Sequence, residues 1–248
     1  MPANEAFTED PALIATDGAA KRRFVRGMFS AIAPRYDLLN HLLSFNIDRG
    51  WRRRAIAALD WERAPEATYL DLCAGTLDVA ATLARQNGFR GRVLGADFAE
   101  PMLREGAGKI TSAVSPVVAD ALELPLAAGS AAGAIVAFGI RNVSGLDAAL
   151  REVHRVLAPA ARFVILEFTT PRNRVVRSLY QFYFHRMLPL IGGAISGHGA
   201  AYRYLPASVA QFPPEEQLAT RLRTAGFTRV QWEPLSFGIA AIHVGTKA

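Results

Sequence analysis

Between Thr68 and Phe168 the chain alternates short apolar runs with stretches of helical spacing, and this alternation narrows the fold more than any other feature. The runs are TYLDLC (68–73), RVLGAD (92–97), SPVVAD (115–120), AIVAF (134–138) and RFVILEF (162–168). Helical patterning fills the gaps: Leu77–Gln86, a segment near 99–110, and Leu146–Leu157, where Leu146, Leu150, Val153 and Leu157 recur at helix spacing. Strands separated by helices of about ten residues are crossover units, and crossover units build a parallel, doubly wound α/β sheet.

The ends of the chain follow other patterns. Residues 1–20 are small and polar and read as a mobile tail. Residues 22–60 read as a helical cap, with Phe24, Met28, Phe29 and Ile32 before the break at Pro34, and Leu38, Leu39, Leu42 and Leu43 after it. A long helix is expected over 174–191, then a glycine-rich segment and a helix near 215–225. FTRVQWEPL and GIAAIHVGTK then read as two strands whose short link suits an antiparallel pair rather than a crossover. The expected organisation is one domain over 21–248, with the cap at 22–60 and a Rossmann-like core at 66–248.

Composition excludes several classes of function. Hydrophobic residues make up 51% of the chain, ample for a full core. The net charge of +6 permits anionic surfaces as partners, yet the basic residues cluster only at Lys21–Arg23 and Arg49–Arg54 and carry no interleaved aromatics. A nucleic-acid role is therefore not expected. The single cysteine, Cys73, rules out an intrachain disulfide and reads as a small buried residue beside a turn. The five histidines lack any metal-ligand spacing. With no apolar run near the ~20 residues that span a bilayer, and an acidic, polar start, the expected location is the cytoplasm, with the inner face of the membrane within reach.

Chemistry concentrates at the carboxyl ends of the expected strands, where doubly wound sheets bind ligands. Asp71 stands beside the first turn, Asp97 ends strand two and Asp120 ends strand three. Gly75 and Thr76 lie in the first turn, at a helix start whose N–H groups can meet a ligand. Asp97 lies at the distance from that turn that suits ribose hydroxyls. Each aspartate taken singly reads equally well as a helix cap; three at successive strand ends favour a cofactor. The turn DLCAGTLD (71–78) has one glycine, too few for a pyrophosphate pressed onto the backbone. With GADF (95–98) and ADAL (119–122), it suits an adenosyl ligand without phosphates.

Four longer segments carry a family resemblance. YDLLNHLLSFNIDRGW (36–51), FGIRNV (138–143), RVLAPAARFVILEFT (155–169) and AYRYLPASVAQFP (201–213) together resemble the C-methyltransferases of ubiquinone and menaquinone biosynthesis, the UbiE family, from about Phe24 to Lys247. The resemblance implies a seven-stranded Rossmann-like sheet with the last strand antiparallel, a helical extension over the active site, and S-adenosylmethionine as cofactor. It places Thr76, Asp97, Asp120 and Ala121 on that cofactor, with Asp97 on the ribose and Asp120–Ala121 along the adenine; Asp71, Gly75 and Phe98 complete the expected binding set.

The chain departs from the family pattern at several positions. Leu77 stands where the family turn commonly has glycine, and a leucine is expected to fit there only with a negative φ. Ala137 stands where some members have a serine, Asp48 replaces a histidine, Ala160–Ala161 replace a glycine pair and Ala158 a lysine.

The implied reaction methylates the ring of a prenylated quinol. Arg141 and Asn142 are expected to orient a quinol oxygen or a water, with Tyr36 completing the network and Asp37 and Asp78 as lesser base candidates. Arg141, always charged, would stabilise a developing phenolate rather than take a proton. Segment 175–196 has two readings: a core helix with a homodimer contact, which is favoured, or a greasy wall for the prenyl tail or for a membrane surface, with Arg49–Arg54 available to anionic lipid. A lipophilic quinol is the expected partner in either case. Two rival functions stay open: the same chemistry on another aromatic or polyketide-like molecule, and a non-catalytic scaffold.

Overall fold

The runs with the fewest polar residues form the middle of a seven-stranded sheet. The structure, a computed structural model, describes residues 18–37, 44, 46–187 and 199–248, without the side chains of 185 and 199–203. Its strands are β1 (Thr68–Leu72), β2 (Arg92–Asp97), β3 (Val114–Val118), β4 (Ala131–Ala137), β5 (Leu157–Phe168), β6 (Phe227–Leu235) and β7 (Ala240–Lys247). They lie in the order β3-β2-β1-β4-β5-β7-β6. β1 to β5 pair in parallel, and β7 runs antiparallel to both β5 and β6. The expected terminal pair is therefore present, and the sheet order reverses at β1/β4, where α/β folds open a ligand crevice.

Period-two alternation divides the core. On β5, Val164 and Leu166 face one side and Phe163 and Ile165 the other, all fully buried. Burial on that scale contributes roughly 1.5–3 kcal/mol for each large side chain. The first side is covered by α2 (Ile47–Ala58) and α3 (Asp78–Ala84) through Trp51, Ile56 and Leu83. The second is covered by α5 (Leu146–Val156) and α8 (Glu215–Thr224) through Leu150, Val153, Leu218 and Leu222. α4 (Glu100–Glu105) follows β2 and is shorter than the expected 99–110 helix because a 3₁₀ turn, Gly106–Lys109, replaces its end.

β5 begins five residues before the expected 162. Its pairing with β4 jumps from Ala131↔Leu157 to Gly133↔Arg162, so the intervening residues bulge, with Ala160 at φ 63.

A third cluster sits above the strand ends. α1 (Ala19–Ile32), α6 (Arg174–Phe182) with the turn that follows it, and α7 (Gly199–Gln211) bring together Phe24, Val25, Met28, Ile32, Tyr180, Phe184, Tyr204 and Val209. α1 is tied down at its start: the Gly18 N–H donates to the Ser144 carbonyl, and Lys21 Nζ donates to the Val143 carbonyl. The expected helix over 174–191 ends as α6 at Phe182 and continues as a π turn, Tyr183–Met187, and its last residues lie outside the described part. The expected tail and Leu38, Leu39, Leu42 and Leu43 also lie largely or wholly outside it.

Candidate active site

The turn after β1 decides what the crevice can hold. Asp71 is buried beneath it and accepts a hydrogen bond from the Ala80 N–H at 2.9 Å, fastening the start of α3. Burial pushes its carboxyl up to about 8, against the pull of that N–H and of the Arg52 charge. Asp71 thus supports the turn from below rather than lining the crevice.

Leu77 corrects the expectation of a negative φ: it adopts φ 64, ψ 22, in the left-handed region that favours glycine. Its side chain is 0% exposed and points into the core, away from the crevice. Neighbouring glycines make the room. A Cβ on Gly95, across the β1–β2 ladder, would meet Leu77 Cδ2 at 2.3 Å, and one on Gly106 would meet Leu77 Cδ1 at 3.1 Å. The strain of the turn is offset by burial of an isobutyl group, and the ligand face of the turn is left clear.

That face is a crevice at the ends of β1, β2 and β4. Gly75, Asp97, Phe98, Asp120 and Ala121 line it, as expected, together with Ala137 and Asn142. Asp97 accepts from the Gly75 N–H at 2.8 Å and from the Ala99 N–H at 2.8 Å. Burial raises its pKa, and those N–H groups oppose the rise. Asp120 accepts from the Leu122 N–H and pairs with Arg22 of α1 at 3.1 Å, so the cap helix closes over this end. Thr76 is turned away: its hydroxyl donates to Asp37.

The donor set fits an adenosyl amino acid. Carboxylates stand at two strand ends, Gly75 takes a left-handed φ of 52 without a side chain at the crevice wall, and the buried Asn142 Oδ1 has no partner among the described residues. An orphaned acceptor on a residue that lines the crevice suits a ligand bearing a hydrogen-bond donor such as an amine.

A second chamber of about 290 Å³ adjoins the first and shares Phe29, Tyr36 and Phe138 as its wall. Its other walls mix aromatic side chains, among them Trp51, Phe168, Tyr180, Phe184 and Tyr204, with aliphatic ones and the charged Asp48 and Arg52. Arg141 enters it from the 3₁₀ turn after β4. Its guanidinium is held by the buried Glu167 at 2.6 Å, by the Phe138 carbonyl, and by Ser208 Oγ at 3.3 Å, and it lies 5.6 Å above the Phe168 ring. Burial raises the Glu167 pKa while Arg141 pulls it down. Arg141 and Asn142 therefore divide, Arg141 facing the second chamber and Asn142 the first. Tyr36 stands between the two.

The lesser base candidates are committed elsewhere. Asp37 pairs with Lys109 and accepts from Thr76. Asp78 is bound by Arg52 and Lys109; burial would raise its pKa, but these cations hold it below the usual carboxylate value. Neither lines a chamber. Cys73 is partly buried at the crevice wall, and burial with the surrounding carboxylates pushes its thiol well up, leaving it neutral. Asp48, buried beside Ser44 and Arg52, does line the second chamber. Among the described residues no group of side chains suits a metal ion.

Several site residues went unread in the sequence. Arg22 lay in a basic run with nothing to single it out. Glu167, Tyr180 and Tyr204 lay in apolar or signature segments, and only the strand-end position of Glu167 marked it.

Comparison with known proteins gives the chain's sequence and fold relatives. A sequence model of the ubiE/COQ5 methyltransferase family matches residues 16–247. The chain is similar to the demethylmenaquinone methyltransferase of Thermus thermophilus, 48% identical over 89% of this chain and 100% of that one. It is also 43% identical to the ubiquinone/menaquinone biosynthesis C-methyltransferase UbiE of Geobacter sulfurreducens, over 90% of this chain and 88% of that one. Among solved structures, a Thermotoga maritima SAM-dependent methyltransferase described as a possible histamine N-methyltransferase shares the fold, with a TM-score of 0.63, 18% identity, and coverage of 90% and 100% of the two chains.

Proposed function

The chain belongs to the ubiE/COQ5 methyltransferase family, and from that premise we propose how its two adjoining chambers divide the work. The protein is an S-adenosylmethionine-dependent C-methyltransferase of ubiquinone and menaquinone biosynthesis. The first chamber holds the cofactor and the second holds a prenylated quinol ring, a demethylmenaquinol or a ubiquinol precursor. The observation that carries this reading is the shared wall: a crevice with strand-end carboxylates opens beside a larger, aromatic-rich chamber, and Phe29, Tyr36 and Phe138 line both.

When bound, the cofactor supplies an electrophilic methyl group on a sulfonium. The chain's own residues do the rest. Asp97 presents free carboxylate lone pairs to ribose hydroxyls, and Asn142 Oδ1 accepts from the ligand's amine. Gly75 keeps the turn low enough for close approach. In the second chamber the aromatic walls hold the ring flat, so that orientation supplies a large share of the rate, about 7–11 kcal/mol where alignment is good. Carbon becomes nucleophilic as its neighbouring ring oxygen gives its proton to solvent water, and the Arg141 guanidinium stabilises the oxyanion that remains. Tyr36, on the shared wall, completes the hydrogen-bond network around the same oxygen.

Calorimetric titration with S-adenosylmethionine and turnover of a prenylated naphthoquinol test this together. Asp97→Ala is expected to abolish cofactor binding. Arg141→Lys keeps a cation beside Glu167 but loses the planar fork; it is expected to bind cofactor normally and to lose about 10²–10³-fold in kcat. Normal turnover by Arg141→Lys would remove the phenolate role.

The membrane reading of segment 175–196 is also part of this proposal. α6 turns Tyr180 inward and leaves Val175, Leu179 and Phe182 exposed on its outer side, flanked by the exposed Arg174 and Arg186. That combination suits shallow contact with an anionic bilayer, the source of a prenylated substrate. No helix among the described residues is long and apolar enough to cross a membrane.

A further inference from the structure

Two tyrosines that line the second chamber carry buried hydroxyls that bond to nothing among the described residues. Tyr180, on α6, and Tyr204, on α7, are 9% and 2% exposed, and both hydroxyl oxygens are buried without a hydrogen-bond partner. Both side chains line the chamber together with Arg141, and both lie within the electrostatic reach of the Arg141–Glu167 pair. Their rings are fixed by neighbours. Tyr180 packs on Phe184 with centroids 4.2 Å apart, and Tyr204 packs on Phe24 at 5.7 Å.

A buried phenol with no partner destabilises the fold, and phenylalanine would fill the same space without that cost. Phenylalanine does fill the adjacent positions of this wall, at Phe138, Phe168 and Phe184. The two positions that carry hydroxyls instead are therefore completed by something the chamber receives, and that occupant must bring polar atoms to an aromatic wall. Among flat ring substrates, a para-quinol has oxygens on two opposite edges, each able to donate and accept. A tyrosine hydroxyl is likewise both donor and acceptor.

Resting on the reading of this chamber as the quinol site, we propose that Tyr180 and Tyr204 bind the ring oxygens of the quinol and so fix which ring carbon is presented across the shared wall. The rings of α6 and α7 set the position and the hydroxyls set the orientation. A site built to hydrogen-bond ring oxygens rejects analogues whose oxygens are capped, because its own buried hydroxyls are then left unpaired. Free quinols are thus favoured over their mono-O-methyl ethers.

Tyr180→Phe, Tyr204→Phe and the double variant of the full chain test this, because phenylalanine keeps the packing. The substrate is a chemically reduced naphthoquinol with a short prenyl tail, assayed beside its mono-O-methyl ether. Melting temperature and calorimetric affinity for S-adenosylmethionine are measured on the same samples. Each single variant is expected to keep or raise its melting temperature and to bind the cofactor as wild type does. KM for the quinol should rise up to about tenfold, with a smaller change in kcat and a narrower preference over the ether. Unchanged KM and preference in folded variants would overturn the proposal, as would a lower melting temperature with no kinetic change, which would make the hydroxyls structural. Wild-type protein that binds the cofactor yet methylates no prenylated quinol would overturn the chamber reading itself, and this proposal with it.

Discussion

Leu77 holds a backbone conformation that costs a residue with a side chain roughly 1–2 kcal/mol, and it does so at the turn on which the cofactor site depends. The cost is accepted because the side chain is wholly buried between Gly95 and Gly106. Leu77→Gly is expected to relieve the backbone and empty the pocket, for a net loss of about 2 kcal/mol. Gly95→Ala is expected to destabilise by about 1–3 kcal/mol through its clash with Leu77, and to cost much less in the Leu77→Gly background. Denaturant unfolding of the four proteins reads that coupling, and strict additivity would contradict it.

Asp71 makes a second prediction at this scale. Its folded pKa of about 8 lies above its unfolded value, so its stabilising contribution is complete below the unfolded pKa and is lost as pH rises towards 8. Asp71→Asn retains an acceptor for the Ala80 N–H without the charge. Its melting temperature relative to wild type should therefore climb between pH 5 and pH 8, and a constant difference would rule the account out. With Leu77 facing the core, the scaffold reading of the altered turn loses its main support.

α6 shows what one element can serve at once. Its start is capped by Asn173, whose side chain accepts from the N–H groups of Val175 and Val176. Its inner side gives Tyr180 to the chamber, and its outer side presents Val175, Leu179 and Phe182. Leu179→Glu with Phe182→Glu is expected to abolish co-sedimentation with anionic liposomes at low salt while changing the unfolding free energy by less than about 1 kcal/mol, as for other exposed sites. No sedimentation by the wild type would remove the membrane reading, and a shift in molecular mass on substitution would assign the stripe to a second copy of the chain. The start of this helix at 174 was legible in the sequence, and its end at Phe182 was not. Which side faced inward was not legible either, since both sides carry large apolar groups.

Across the whole molecule, the site is assembled from segments far apart in the chain. Arg141 follows β4, Glu167 ends β5, Ser208 belongs to α7 and Arg22 to α1, and they meet only because the sheet and cap are folded. Glu167→Gln leaves a buried guanidinium without its counter-charge. It should cost about 3 kcal/mol of stability and reduce quinol turnover more than tenfold through a misplaced Arg141, with cofactor affinity unchanged. Equal losses in both would point to general disorder of the site instead.

The sequence alone determined the strand–helix alternation, the antiparallel final pair, the positions of Asp97 and Asp120 at strand ends, and the family. The first three rest on periodicity and local spacing, which a chain carries wherever it folds, and the family rests on the resemblance of four motif segments. It misjudged Leu77, joined Arg141 to Asn142, and left Glu167, Tyr180 and Tyr204 unassigned. The reason is common to all of them. A leucine's tolerance of a left-handed turn depends on two glycines elsewhere in the chain, and the direction of a side chain after β4 depends on a carboxylate ending β5. Whether a tyrosine hydroxyl is satisfied depends on which helices close over it. Those are contacts between distant segments, and only the tertiary structure decides them.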